Sequence, residues 1–199
     1  MMLVEIMQTP LSDLPIVPFR AHLRLGRGFA DDAVQDSVLE TCLRAAIAAI
    51  EGRTGKALYS RGFRWTLPAW RCRDVQALPV APVSNVSGIT IITRQGDASF
   101  ADPEYYYLEQ DALRPLLRAV SYFLPSIPTG GTAEVTFSAG YSVDWSGMPP
   151  DLAQAVLLLA AHYYETRQEQ PTNDGNMPFG VTSLIERYRT VRILGGAGA

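Results

Sequence analysis

The stretch MPPDLAQAVLLLAAHYYETR, residues 148–167, decides the fold. Pro149 and Pro150 open a helix, because first-turn N–H groups have no intrahelical partner to lose. Asp151 sets a negative charge beside the positive end of the helix dipole. Between Leu152 and Ala161 the only polar side chain is Gln154. At about 100° per residue, Leu152, Val156, Leu159 and Tyr163 line one stripe. Leu157 and Tyr164 lie well round from it, and Leu158 falls near Gln154 and Glu165. A helix apolar on more than one face needs more than one packing partner. A chain of 199 residues is small to supply both, so the expectation is that other copies or proteins cover the surplus.

Working back from this helix, the periodicity over residues 58–141 is that of strands. Phe63, Trp65 and Leu67 alternate with Arg64 and Thr66, and ITIIT at 89–93 ends at the turn signal Gln95-Gly96-Asp97. Segments 105–108, 113–118 and 133–138 complete about five strands, with Gly130-Gly131 turning into the last. Prolines 79, 82, 125 and 128 suit the edges and connections of a small sheet. Before the strands, a helix of about 31–57 carries Leu39, Leu43, Ala46 and Ile50 on one stripe, bordered by Cys42 and Ile47. Asp32 and Gln35 resemble a capping box, and Gly55 is a C′ stop. Alanines 45, 46, 48 and 49 would admit a second helix closely. Residues 1–30, broken by Pro10, Pro15 and Pro18, read as an extended arm with a helical turn at 19–25.

Beyond the deciding helix, residues 172–178 read as a polar loop and residues 181–190 as a short helix. The glycine-rich tail VRILGGAGA at 191–199 cannot fold alone. The fold class is therefore α+β: a small helical bundle with a β-strand insertion between the first long helix and the C-terminal helices. Its divisions are an N-terminal arm at 1–30, a main domain at 31–190 (helix 31–57, β insertion 58–147, C-terminal helices 148–190) and a flexible tail at 191–199.

Composition narrows the function. Seventeen Lys and Arg against twenty Asp and Glu give a net charge of −3, which argues against a dedicated nucleic-acid binder. The segment 181–199 is the exception, with Arg187, Arg189 and Arg192 against Glu186. No apolar run has the roughly 20 residues a membrane span needs, and the start lacks a basic signal-peptide region. Cys42 and Cys72 are too few for a disulfide framework. Synthesis in the cytoplasm is the expectation.

Enzyme signatures fail residue by residue. GRTGK at 52–56 has Ile50 where a phosphate loop requires glycine and Ala57 where it requires Ser or Thr. Gly140-Tyr141-Ser142-Val143-Asp144 misses the nucleophile elbow at its final glycine. His22 and His162 stand in different segments without ligand-type spacing. Asp31 and Asp32 are explained by a helix start. Neither a catalytic constellation, a metal site nor a cofactor is expected.

In their order and spacing, several segments resemble the head–tail connector, or head-completion adaptor, family of long-tailed phages and gene transfer agents. They are AHLRL at 21–25, IEGRTGKAL at 50–58, LPVAPVSNVSGI at 78–89, VTFSAGY at 135–141, the helix at 148–167, and PFGVTSLIERYR at 178–189. The proline-broken segment before AHLRL departs from the helical entry of relatives. The resemblance implies a homo-oligomeric ring of twelve subunits beneath the portal protein. Such a ring extends the DNA channel without specific DNA binding and meets the next neck protein, a stopper or tail terminator. The location would be cytoplasmic during assembly and then the virion or particle neck, with no membrane contact. It also implies that residues 181–194 dock on the portal, with Val181, Leu184, Tyr188, Ile193 and Leu194 as apolar contacts and Arg187, Arg189 and Arg192 as charged ones. Burying Ile193 and Leu194 would return roughly 1.5–3 kcal/mol each, a weak tail contact that a ring multiplies. Net acidity suits a wall past which DNA slides. Two competing readings are a β-rich ligand-binding module of a tail or cell surface using Trp65 and residues 105–107, and a hydrolase centred on Ser142.

Overall fold

A computed structural model describes residues 2–6, 9–25, 32–167 and 177–189, with no account of the side chains at 32–34. The long helix α2 (Asp32–Thr54) and the deciding helix α3 (Pro150–Thr166) pack together, and α3 also packs against the short α4 (Phe179–Ile185). The forecast stripe of α2 is buried: Leu39, Leu43, Ala46 and Ile50 are fully enclosed, with Cys42 and Ile47 beside them. Gly55 ends the helix at φ +69°, the left-handed conformation that glycine adopts without a Cβ penalty. The capping box forecast at Asp32 lies outside the described side chains.

Much of the apolar surface of α3 is covered within the chain. Leu152, Ala155, Val156, Leu159, Ala160 and Ala161 are all buried, and Leu157, Leu158, Tyr163 and Tyr164 are partly buried against the same cluster. Helices α2 and α4 both pack on α3, while Leu157, Leu158, Tyr163 and Tyr164 keep part of their surface open. Further exposed apolar surface lies on the β part.

Among the described residues there are eight strands, most of them within 58–147, arranged in two antiparallel sheets where about five strands were expected. The larger has the order β1–β2–β8–β4–β5, from β1 (Met2–Glu5), β2 (Arg61–Leu67), β8 (Thr132–Ala139), β4 (Val83–Ile92) and β5 (Ala98–Phe100). The smaller has the order β3–β7–β6, from β3 (Val75–Ala77), β7 (Leu116–Ala119) and β6 (Tyr106–Glu109). β4 begins six positions ahead of the ITIIT segment because register shifts between Val83 and Asn85 and between Val86 and Gly88 break its alternation. The sequence reading does not include β1, β3 or β5, each three or four residues long.

Alternation on β8 is regular, with Ala133, Val135, Phe137 and Ala139 buried against Phe63, Trp65, Leu67, Ile89 and Leu117. This second core is separate from the helical one. The segment expected as an arm is docked at both ends of its described part. β1 pairs with β2, and α1 (Ile16–His22) buries Phe19 in the helical core. Helix α1 starts ahead of the forecast turn because Pro18 falls in its first turn, where no N–H is missed.

The two lobes are joined by residues 51–61. Glu51 Oε1 accepts from the Leu58 N–H at 2.7 Å and from Arg61 Nη1 at 2.9 Å, while Oε2 takes Arg61 Nη2 at 2.6 Å. Glu5 from β1 takes the same Nη2 at 2.7 Å. Burial alone would lower the Arg61 pKa, but the hydrogen bonds and charges of Glu51 and Glu5 outweigh it and raise the pKa further above its usual value. Lys56, the lysine of the GRTGK segment, is 1% exposed and donates to the Leu113 carbonyl at 2.9 Å. It belongs to the lobe junction, where Ala57 N–H also donates to the Ala81 carbonyl at 2.9 Å.

Candidate assembly interface

The end of the described chain is held by one carboxylate. Asp151, in the first turn of α3, accepts the Tyr188 hydroxyl at 2.7 and 2.9 Å and pairs with Arg187 Nε at 2.9 Å. Arg187 also donates to the Tyr188 hydroxyl at 2.6 Å and sits 4.7 Å from that ring's centroid. Tyr141 meets Tyr188 edge to face at 5.8 Å. Burial, followed by the neighbouring Tyr188, pushes the Tyr141 phenol up to about 12. Burial and the bond to Asp151 likewise raise Tyr188. These contacts hold residues 187 and 188 at the N-terminal end of α3. Asp151, singled out in the sequence for the helix dipole, thus has a second role that no local pattern reveals.

Five of the eight residues that the resemblance assigned to portal contact fall among the described residues. Val181 is fully buried and Tyr188 is 7% exposed, so both are engaged in the chain's own core. Leu184 is half-buried at its edge. Arg187 and Arg189 are exposed, with Arg189 paired to Glu186 at 2.9 Å. Arg192, Ile193 and Leu194 lie outside the described residues.

Exposed apolar groups concentrate on the β part. Met2, Leu3, Val4 and Ile6 are 40–61% exposed along β1, and Phe100 on β5 is 86% exposed. Val120, Tyr122 and Phe123 project after β7, with Arg73 6.0 Å from the Phe123 ring. The ligand-module reading required Trp65 and residues 105–107 together. Trp65 and Tyr106 are buried, and only Tyr105 and Tyr107 reach solvent. For the hydrolase reading, Asp144 is spent on the Ser146 hydroxyl and Gly147 N–H, capping a short 3-10 turn, Trp145–Gly147. Among the described residues no group of three or more His, Cys, Asp or Glu could hold a metal, and no helix is long and apolar enough to cross a membrane.

These features define a two-lobed α+β protein with a latched chain end and broad apolar surface on its β lobe. Solved structures carry the assignment further. A chain in the neck of an empty gene transfer agent (GTA) particle computed with C6 symmetry matches at TM-score 0.89 and 52% identity, covering 98% of this chain and 99% of that one. A chain of the native GTA virion matches at TM-score 0.87 and 52% identity over the same shares. One in the neck of a native GTA particle computed with C12 symmetry matches at TM-score 0.84 and 49% identity, again over 98% and 99%. No protein-family model matches the chain, and no curated protein does. The chain belongs to the neck proteins of gene transfer agent particles, and its role is structural, not enzymatic.

Proposed function

We propose that this neck protein is the head–tail adaptor: a ring of twelve copies seated beneath the portal protein. The ring extends the DNA channel and presents its far side to the next neck protein, a stopper or tail terminator. The full-length match to chains of GTA necks computed with C12 and C6 symmetry carries this reading, since closed rings of identical copies are what such symmetry describes. The latch at Asp151 supports the rest. It holds Arg187 and Tyr188, just ahead of the tail, against the N-terminal end of α3. Arg187, Arg189 and Arg192 with Leu184, Ile193 and Leu194 then serve as the portal contact, while Val181 and Tyr188 hold that contact in place from the core. One tail binds weakly, and tethering in a ring turns successive contacts intramolecular. The expected off-particle state is therefore a monomer that assembles on its portal.

The test is to delete residues 192–199 in the producing cells. The expected result is a folded monomer that no longer joins portal-bearing heads, leaving filled heads without tails. Normal incorporation of the truncated chain would reject the tail-docking proposal.

A further inference from the structure

The larger sheet ends in two open edges on opposite sides, β1 and β5, and every residue of both strands is exposed. Met2 and Val4 share a face with Thr66 and Arg64, and Leu3 shares the other with Trp65, so β1 is apolar on both faces. Its main chain is also half unused. Ile6 N–H donates to the Gly62 carbonyl at 2.9 Å, and antiparallel alternation then turns Val4 and Met2 toward β2 and Leu3 and Glu5 outward. On the far side, Ala101 N–H donates to the Ile89 carbonyl at 2.9 Å, so the same alternation turns the main chain of Ala98 and Phe100 outward. Soluble proteins blunt such edges with charge, proline or a covering element. Here the one charged side chain of β1, Glu5, is tied to Arg61.

Cyclic symmetry explains why two different edges would stay open. A ring contact is head to tail: each copy offers one patch to its left neighbour and a different patch to its right. Opposite ends of one sheet are such a pair. The β5 edge is flanked by exposed Asp97, Asp102 and Glu104 against Arg94. Beside β1, Arg64 is paired with Glu134 at 3.3 Å and Glu5 with Arg61 at 2.7 Å, so apolar contact rather than charge carries the fit. We propose that in the ring the β1 edge of one copy packs on the β5 edge of the next, with Val4 and Phe100 at the contact. This inference rests on the ring reading above and adds which faces of the subunits meet.

The test uses the full chain in purified particles. With Cys72→Ser as background, Val4→Cys and Phe100→Cys together should give a ladder of covalent oligomers beyond the dimer on treatment with a short bismaleimide. Either cysteine alone should give none. Separately, Phe100→Asp, at a site 86% exposed in the monomer, should leave the circular dichroism spectrum unchanged and abolish incorporation. Particles carrying the double-cysteine chain in normal amount but yielding only monomer, or normal incorporation of Phe100→Asp, would overturn the proposal. If the wild-type chain itself is absent from the collar, the adaptor reading fails first, a result distinct from a ring with the wrong faces in contact.

Discussion

Replacing Glu51 by alanine is the most demanding test of how the two lobes are joined. The carboxylate is 15% exposed and the Arg61 side chain 10% exposed, so the pair is largely out of water. The substitution removes two guanidinium contacts at 2.6 and 2.9 Å and leaves the Leu58 N–H without its acceptor. Breaking one side of a buried pair typically costs about 3–5 kcal/mol, because the remaining charge stays buried. Glu5 still holds Arg61 at 2.7 Å, which places the expected loss near the lower end, about 3 kcal/mol. In a chain of this size that lowers Tm by about 6–12 °C. Urea titration of wild type, Glu51→Ala, Arg61→Leu and the double variant measures the coupling. The double variant should be more stable than the sum of the single losses predicts, since no lone charge is left behind. A Glu51→Ala loss below about 1 kcal/mol, in the range of a solvent-exposed pair, would refute the view that this pair joins the lobes.

Two further outcomes follow from the latch and the tyrosines. Tyr188→Phe deletes only the hydroxyl bound to Asp151; it should cost about 1.5 kcal/mol, the low end for a hydrogen bond to a charged group, by the same urea titration. It should also reduce particle incorporation more than that loss explains if the latch aims the tail, whereas incorporation equal to wild type would detach the latch from assembly. The alkaline limb of stability is set by buried phenols. Tyr59, Tyr106, Tyr141, Tyr163 and Tyr188 all have raised pKa values, with burial the first cause in each. A raised phenol favours the fold fully below its unfolded value near 10, and that contribution is lost as pH climbs toward the folded values, about 12 for Tyr141. Urea midpoints should therefore hold up to about pH 10 and fall steeply above it. A midpoint that is flat through that range would contradict the burial of these rings.

Local pattern determined a good deal by itself. The stripe of α2, its glycine stop, the proline-opened α3 and the alternation of β2 and β8 follow from spacing alone, because each is a regular period repeated several times within one element. The order of segments likewise carried the resemblance to head–tail connectors, which chains of GTA particles at about half identity bear out as far as a neck protein of such particles. Tertiary structure decided the rest, since burial depends on what arrives from distant sequence. Leu157, Leu158 and Tyr164 look surplus on a helical wheel, yet each is partly buried against the cluster in which α2 and α4 pack on α3. Whether Val181 and Tyr188 pack on their own bundle could not be read from the terminal segment, and the fold buries both. Conversely, β1 and β5 do not stand out as strands in the sequence, and sheet order leaves them exposed at the two ends. Periodicity states which faces want covering; only the folded chain states which of them it covers.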